Sequence, residues 1–183
     1  VAEKGLSALL AAAARLQGPW ELRFVGGGPH QPVLEQEADA LRVADRVRFL
    51  GPAPSDQVAD RLREFDVLVN ASLTLRRGKS QWKEQFGRSL VEAMACGVPV
   101  LGSDSGEIPH VIGDAGLVAP EGDATAMAAH LQRLMDELQR AIDRYLEAMA
   151  RQMMEQQKNG DQAEMHASRP RADPRSDEWL CAG

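Results

Sequence analysis

The chain has 183 residues, of which 44% are hydrophobic and 26% are charged, and its formal net charge is −6. These values are typical of one globular α/β domain with a buried core, and the missing basic surface argues against nucleic acid as the main partner. No apolar run approaches the roughly 18 residues of a membrane-spanning helix, and no stretch has the pattern of a signal peptide.

Two further features of the sequence concern the cellular location of the protein and the part of it that this chain covers. Cys96 and Cys181 lie far apart without metal-ligand spacing, which favours reduced thiols and a cytoplasmic location. The chain begins at Val1 inside a helical pattern, so we expect it to be a fragment or an excised domain.

Helical and strand patterns alternate through the first 70 residues. The apolar spacing predicts helices over residues 3–16, 31–41 and 57–64, and strands over residues 20–25, 46–50 and 66–70. Ser55 stands where the N-cap of the third helix belongs.

Three glycines, Gly26, Gly27 and Gly28, follow the first predicted strand. A glycine run after a parallel strand lets a ligand approach the backbone closely. A plain strand-to-helix turn explains the same run equally well. The spacing lacks the third glycine of a dinucleotide-binding fingerprint, which argues against that class of site.

The second half of the chain opens with a predicted loop over residues 71–83. Its cations are Arg76, Arg77, Lys79 and Lys83. They suit a neighbouring phosphate site, but a solvated flexible loop explains Arg76 and Arg77 at least as well.

Alternating elements then resume up to residue 157. The pattern predicts helices over residues 88–96 and 124–157 and strands over 98–102 and 116–120. Gly97 is expected to cap the first of these helices, and Gly122-Asp123 to begin the long one. Residues 1–157 therefore form the predicted domain, and the polar residues 158–183 a disordered tail.

This alternation predicts a doubly wound α/β domain, with a parallel sheet that carries helices on both faces. Ligands of such domains bind at the carboxyl ends of the strands. The loops at Gly26, Gly51 and Glu84 all follow strands, so we expect them at one edge of the sheet.

The candidate site lies in residues 82–100, which read WKEQFGRSLVEAMACGVPV. Glu84 precedes the predicted helix, and Glu92 lies one turn inside it. The amides of Gly87, Arg88 and Ser89 are expected to be unpaired at the helix start, where they form an anion site. The pattern indicates phosphate-binding amides beside two carboxylates that bind hydroxyls, although Glu92 could instead cap or pair inside the fold.

Glu84-Gln-Phe-Gly, followed by Glu92 and then Ala-Met-Ala-Cys-Gly-Val-Pro-Val, resembles the signature of retaining GT-B glycosyltransferases of family 4. The resemblance extends over about residues 1–138 and covers only the C-terminal, donor-binding half of such an enzyme. It implies a Rossmann-like half of a GT-B fold. It also implies transfer of a hexosyl-type sugar from a nucleotide-sugar to an acceptor with retention.

The resemblance gives each matching residue an expected role. Glu84 corresponds to the catalytic residue that faces the donor sugar, and Glu92 to the residue that binds the ribose hydroxyls. Lys4 matches a phosphate-binding lysine, while the arginine that accompanies it in the family would fall before Val1. The other expected donor-binding residues are Gly27, Gly28, Phe86, Gly87, Arg88 and Ser89.

The expected substrate is a UDP- or GDP-sugar, without a metal or other cofactor, because no Asp-x-Asp is present to hold a metal. An acceptor glycan, lipid or small molecule would bind through a missing N-terminal domain, so the fragment alone is expected to be inactive. Peripheral membrane association of the full-length protein is a further expectation.

Two other functions stay open. One is a nucleotide-sugar binding module without transfer, and the other is an epimerase of GT-B architecture, which the context of Phe86-Gly87 and residues 93–97 disfavours. Glu107 and His110 have the residue types of an acid–base pair, but a structural role for His110 is the commoner case.

Overall fold

A computed structural model describes residues 2–78 and 80–167, in which helices and strands alternate. The helices are α1 (Leu6–Ala13), α2 (Gln31–Ala40), α3 (Val58–Leu62), α4 (Arg88–Ala95), α5 (Ile108–Ile112) and α6 (Ala124–Ala167). The strands are β1 (Leu22–Val25), β2 (Val47–Gly51), β3 (Leu68–Asn70), β4 (Leu75–Arg77), β5 (Ser80–Trp82), β6 (Val100–Ser103) and β7 (Leu117–Ala119). Short 3-10 turns cover Ala2–Lys4, Ala44–Arg46 and Ser55–Gln57.

Five of the strands pair in parallel, as predicted. β1 and β2 form one sheet, in which Leu22 lies opposite Val47. The other sheet has the order β3–β6–β7, with Leu101 between Val69 and Leu117. Parallel neighbours need crossover connections, and the helices between them supply these.

Helices cover both faces of this parallel arrangement, because successive strand residues point to opposite sides. On β6, Leu101 packs into a core that α1, α2 and α6 share, whereas Val100 packs into a core formed with α3, α4 and α5. The first core includes Leu10 and Met127, and the second includes Leu90. The doubly wound α/β prediction is therefore confirmed.

Two predicted helices are shorter in the structure. The first is interrupted at Gly5, whose φ of 61° is left-handed, so Lys4 lies in the 3-10 turn and α1 begins at Leu6. The third begins at Val58 after another 3-10 turn, and the Ser55 side chain makes no capping hydrogen bond. The cap prediction at Ser55 was wrong because the 3-10 turn occupies that position.

Gly97 and Asp123 lie at helix ends as predicted, whereas α6 is longer than predicted. Gly97 follows α4 with a φ of 74°, as its predicted capping role requires. The Asp123 carboxylate accepts hydrogen bonds from the amides of Thr125 and Ala126 at 3.0 and 2.9 Å and begins α6. α6 continues to Ala167, ten residues past its predicted end at Gln157. The predicted disordered tail began at residue 158, but residues 158–167 continue α6 instead. Residues 168–183 of that tail lie outside the described residues.

The predicted loop over residues 71–83 contains an antiparallel hairpin instead. In this β4–β5 hairpin, Leu75 lies opposite Trp82 and Arg76 opposite Gln81, and Gly78 turns the chain with a φ of 58°. All three residues of β5 are exposed. Because β5 buries none of its side chains, its sequence carries no burial pattern.

The chain divides into two compact units, the first ending at Asp136 and the second beginning at Glu137. The first holds both hydrophobic cores. The described part of the second is the remainder of α6, where Leu138, Ile142, Tyr145 and Met149 are among the exposed apolar residues. Within residues 2–78 and 80–167, no helix is long and apolar enough to cross a membrane.

Candidate functional site

Glu84 is the centre of the candidate site, between β5 and the start of α4. One of its carboxylate oxygens, Oε2, accepts hydrogen bonds from Lys4 Nζ at 2.8 Å and Ser72 Oγ at 3.1 Å. The other, Oε1, lies 3.4 Å from the Gly87 amide. The Glu84 side chain is only 15% exposed, whereas that of Lys4 is 45% exposed. The structure thus joins two predicted site residues that lie 80 positions apart.

Lys4 reaches this carboxylate because its 3-10 turn is tied to the segment after β3. The Leu73 amide donates to the Glu3 carbonyl oxygen at 2.8 Å. The Lys4 ammonium also lies over the ring of Trp82, 5.6 Å from the ring centroid. The cation therefore contacts both a carboxylate and an aromatic face.

Ser72 belongs to the site although the sequence did not point to it. It follows β3 and is fully buried, and its hydroxyl lies 2.7 Å from Asn70 Oδ1. The same Asn70 oxygen accepts the Ser72 amide at 3.2 Å, and the Ser72 carbonyl accepts the Ser103 hydroxyl. The position of Asn70 and Ser72 at the carboxyl end of a parallel strand was the available signal.

The backbone of Glu84 is fixed by the turn before α5. The Glu107 amide donates to the Glu84 carbonyl at 3.1 Å. Gly106 packs so closely that a Cβ built on it would lie 1.9 Å from that carbonyl oxygen. Its φ of 57° also disfavours any other residue, so Gly106 supports the site.

Electrostatics keep the Glu84 carboxylate ionised. Burial raises the pKa of this carboxyl group, but the hydrogen bond and charge of Lys4 lower it, as do hydrogen bonds from Ser72 and Gly87. The net result is a pKa below the ordinary value of 4.5. At neutral pH the group is an anionic hydrogen-bond acceptor.

The start of α4 differs from its prediction in one respect. The Gly87 amide was expected to be unpaired, but it donates to Glu84 because that side chain folds back over the helix start. The amides of Arg88 and Ser89 lie in the first turn, where helix geometry provides no acceptor four residues earlier. Phe86, just before this turn, is 55% exposed. The Arg88 and Ser89 amides therefore retain the capacity to bind an anion.

Glu92 lies on an exposed part of α4. Its Oε1 atom is 3.8 Å from Arg88 Nε, and the two side chains are 43% and 84% exposed. A solvent-exposed ion pair of this length contributes little stability. The alternative in which Glu92 is paired inside the fold is therefore not supported, and its carboxylate is accessible to a ligand.

The glycine loop lies at the carboxyl end of β1, beside the end of β2. The Gly26 amide donates to the Gly51 carbonyl at 2.7 Å, so the two predicted loops meet at one sheet edge. A Cβ built on Gly27 or Gly28 would meet no protein atom within 4 Å. Packing therefore does not require glycine at either position.

A second polar cluster lies beyond the predicted residues and was missed. Glu121 accepts hydrogen bonds from the Thr74 amide at 2.6 Å and from the Thr74 hydroxyl, which also lies 3.2 Å from Ser105 Oγ. The Glu121 amide donates to Asp104 at 2.7 Å. The pKa of Glu121 is raised by burial but lowered more by the hydrogen bonds from Thr74 and Ser105, so it falls below 4.5. The cluster joins the segments that carry Ser72 and Gly106.

The remaining predicted candidates stay at the surface. Arg76 and Lys83 are exposed, while the Arg77 side chain and Lys79 lie outside the described part of the chain. Nδ1 of His110 is 3.8 Å from Glu107, and the two side chains are 89% and 53% exposed. Nothing in this geometry sets the pair apart from an ordinary surface contact.

Residues 1–159 match the protein family described as glycosyl transferases group 1. The chain belongs to this family. This chain is 41% identical over 120 residues to N-acetyl-alpha-D-glucosaminyl L-malate synthase of Bacillus anthracis. The match covers 64% of this chain and 29% of that protein. This chain is also 36% identical over 139 residues to phosphatidyl-myo-inositol mannosyltransferase of Mycolicibacterium smegmatis, covering 73% and 33%.

Among solved structures, Anabaena HepE in complex with UDP-glucose superimposes on this group 1 chain with a TM-score of 0.66. The sequences are 24% identical, and the match covers 76% of this chain and 37% of HepE. At this identity the match shows the fold, which is that of GT-B glycosyltransferases. The chain thus spans about a third of the length of the relatives it matches.

Proposed function

We propose that this chain is the donor-binding part of a retaining glycosyltransferase that moves a hexosyl group from a nucleotide-sugar to an acceptor. The observation that carries the proposal is the ionised Glu84, held by Lys4 and Ser72 directly before the start of α4. A carboxylate that accepts hydrogen bonds beside a cation and free helix amides suits a ligand with both hydroxyls and phosphates.

In the proposed reaction the bond between the sugar C1 and the diphosphate oxygen breaks, the acceptor hydroxyl gives its proton to the departing diphosphate, and the acceptor oxygen bonds C1 on the same face. Negative charge then develops on the departing diphosphate. Lys4 and the amides of Arg88 and Ser89 supply the positive groups that stabilise this charge. Glu84 accepts hydrogen bonds from the sugar hydroxyls, and Glu92 from the ribose hydroxyls. No metal or other cofactor takes part.

The glycine loop at the carboxyl end of β1 is a further candidate for contact with the diphosphate. Gly27 and Gly28 have empty space where a side chain would begin, and neither has a positive φ that would call for glycine. Glycine at these positions is explained if a ligand approaches the backbone there. A plain strand-to-helix turn would tolerate alanine.

The donor is proposed to be a UDP- or GDP-sugar, in keeping with the UDP-glucose bound to HepE. The acceptor is a glycan, a lipid or a small molecule, bound by a further domain of a longer protein. We place this protein in the cytoplasm, with peripheral attachment to a membrane where the acceptor is a lipid.

Calorimetry tests the proposal with UDP, GDP and ADP, each alone and as its glucose or mannose conjugate. One nucleotide is expected to bind with a dissociation constant below about a millimolar, because the diphosphate contacts lie within this chain. A folded chain that binds none of them at millimolar concentration would reject the function. Binding without transfer by the longer protein would instead favour a binding module.

Glu92→Gln tests the ribose contact within that experiment. A hydrogen bond to a charged acceptor is worth about 1.5–3 kcal/mol, so we expect the affinity for the nucleotide to fall about tenfold or more. Arg88→Ala is the matched control, since it removes the 3.8 Å ion pair but keeps the amide at the helix start. Equal affinities for Glu92→Gln and wild type would exclude the ribose role.

A further inference from the structure

Trp82 is an exposed aromatic residue at the rim of the candidate site, and none of the roles above uses it. It ends β5, opposite Leu75 on β4, and is 40% exposed. A tryptophan ring has a large apolar surface that is usually buried or in contact with a ligand. The hairpin holds this ring outside both hydrophobic cores.

The Lys4 ammonium connects this ring with the catalytic candidate. It lies 5.6 Å from the centroid of Trp82 and 2.8 Å from Glu84 Oε2. The centroid of the Trp82 ring and Glu84 Oε2 are therefore no farther apart than the sum of these two distances. In the structure, one flexible and half-exposed side chain bridges them.

A hexose ring has the chemistry to replace Lys4 between these two groups. Its hydroxyls donate hydrogen bonds that a carboxylate accepts. Its C–H bonds form an apolar surface with small positive charges, which the negative face of an indole attracts as it attracts a cation. A diphosphate bound nearby would draw the Lys4 ammonium away from Glu84.

We propose that Trp82 is a specificity-determining residue, whose ring stacks on the donor hexose after Lys4 has moved to the diphosphate. This inference rests on the proposed function. It goes beyond that function because it assigns recognition of the sugar to the β4–β5 hairpin.

Trp20 provides a comparison within the same chain. Arg46 lies over its ring at 5.1 Å, and the Arg46 guanidinium also donates to the Gly18 carbonyl oxygen at 3.2 Å. That cation connects structural groups only, and the Trp20 ring packs against the first core. The cation over Trp82 instead contacts the ionised carboxylate of the site, on an exposed ring.

The experiment compares the affinity for the nucleotide-hexose that wild type binds with the affinity for the matching nucleoside diphosphate. Trp82→Leu keeps an apolar partner for Leu75 but removes the aromatic face, while Trp82→Phe keeps a smaller one. Gln81→Ala is the control, since neighbouring residues of a strand point to opposite faces. Tryptophan emission is recorded in the same titrations of wild type and Trp82→Phe.

We expect Trp82→Leu to bind the nucleotide-hexose about three- to tenfold more weakly and the free diphosphate as wild type does. Trp82→Phe and Gln81→Ala should stay within about twofold of wild type, and the sugar-dependent emission change should disappear in Trp82→Phe. Equal loss for both ligands, or no loss for either, would overturn the stacking role alone. Failure of wild type to bind any nucleotide-sugar would overturn the proposed function and this inference with it.

Discussion

Glu84 has two partners that use different oxygens of its carboxylate. It holds the start of α4 through the Gly87 amide, and it pairs with Lys4, the residue proposed to bind the diphosphate. Because Lys4 is half exposed and flexible, its release from Glu84 costs little, as for other partly exposed ion pairs. We therefore expect a phosphate ligand to displace Lys4 from Glu84.

The lowered pKa of Glu84 predicts how stability depends on pH. A carboxyl group whose pKa is lower in the folded state contributes stability above its unfolded pKa, near 4.5, and loses it as pH falls through the folded pKa. We expect Glu84→Gln to flatten the fall in Tm between neutral pH and pH 3. Thermal melts across this range measure it.

Lys4→Met is the companion variant for that experiment, because it removes the first favourable partner of Glu84. The effects of Glu84→Gln and Lys4→Met should be less than additive in the double variant, since both remove one interaction. Fully additive effects, or an unchanged pH profile in Glu84→Gln, would contradict the assigned cause of the pKa shift.

Gly106 provides a second prediction for a single residue. Alanine at this position must adopt a φ of 57° and places its Cβ 1.9 Å from the Glu84 carbonyl oxygen. We expect Gly106→Ala to lose about 3 kcal/mol or more of unfolding free energy, from strain and overpacking together. Urea denaturation measures this loss.

Gly97→Ala separates the two contributions to the loss at Gly106. Gly97 also has a positive φ, 74°, but a Cβ there meets no atom within 4 Å. Its substitution should therefore cost only about 1–2 kcal/mol. Similar losses in the two variants would mean that the contact between Gly106 and Glu84 is not tight.

The helices and strands that the sequence predicted correctly are those with a buried face. Residues 31–41 and 46–50 were expected as helix and strand, and the structure has Gln31–Ala40 and Val47–Gly51. The β4–β5 hairpin was not predicted, since β5 is exposed and its pairing with β4 is local. Periodicity reports burial, and an element that buries little leaves no periodic signal.

The candidate site was predictable to a similar extent. The motif resemblance pointed to Glu84 and Lys4, and the structure brings them into direct contact. Ser72, Gly106 and Glu121 act through tertiary contacts between segments far apart in sequence, which local patterns do not encode. The pairing of Gly87 with Glu84 likewise depends on a side chain that folds back over the helix start.

The start of α6 yields a prediction for one element. The Asp123 carboxylate caps two amides of the first turn, at Thr125 and Ala126. Asp123→Ala should therefore cost about 1 kcal/mol of unfolding free energy, and Asp123→Ser should retain most of it. Equal stability of wild type and Asp123→Ala in urea denaturation would show that the cap contributes nothing to this helix.

For the whole molecule, burial is concentrated in the first unit. Among residues 124–157 of α6 the buried ones are Met127, Ala128 and Leu131, all before the boundary at Asp136. The Gln132 side chain also accepts the Gln17 amide at 2.9 Å within this unit. Residues 137–157 of α6 are exposed. The first unit therefore has the features of a domain that folds without the rest of α6.

A chain that ends at Asp136 tests this division. We expect it to unfold cooperatively, with a free energy of unfolding within about 1 kcal/mol of the full chain, because residues 137–157 are exposed and bury little apolar surface. Nucleotide affinity should also be unchanged, since every proposed donor contact lies before residue 93. A chain that ends at Ala126 is the control: it loses Met127 and Leu131 from the first core and should unfold or aggregate. Lost cooperativity or weaker nucleotide binding in the longer truncation would show that residues 137–183 contribute to the domain.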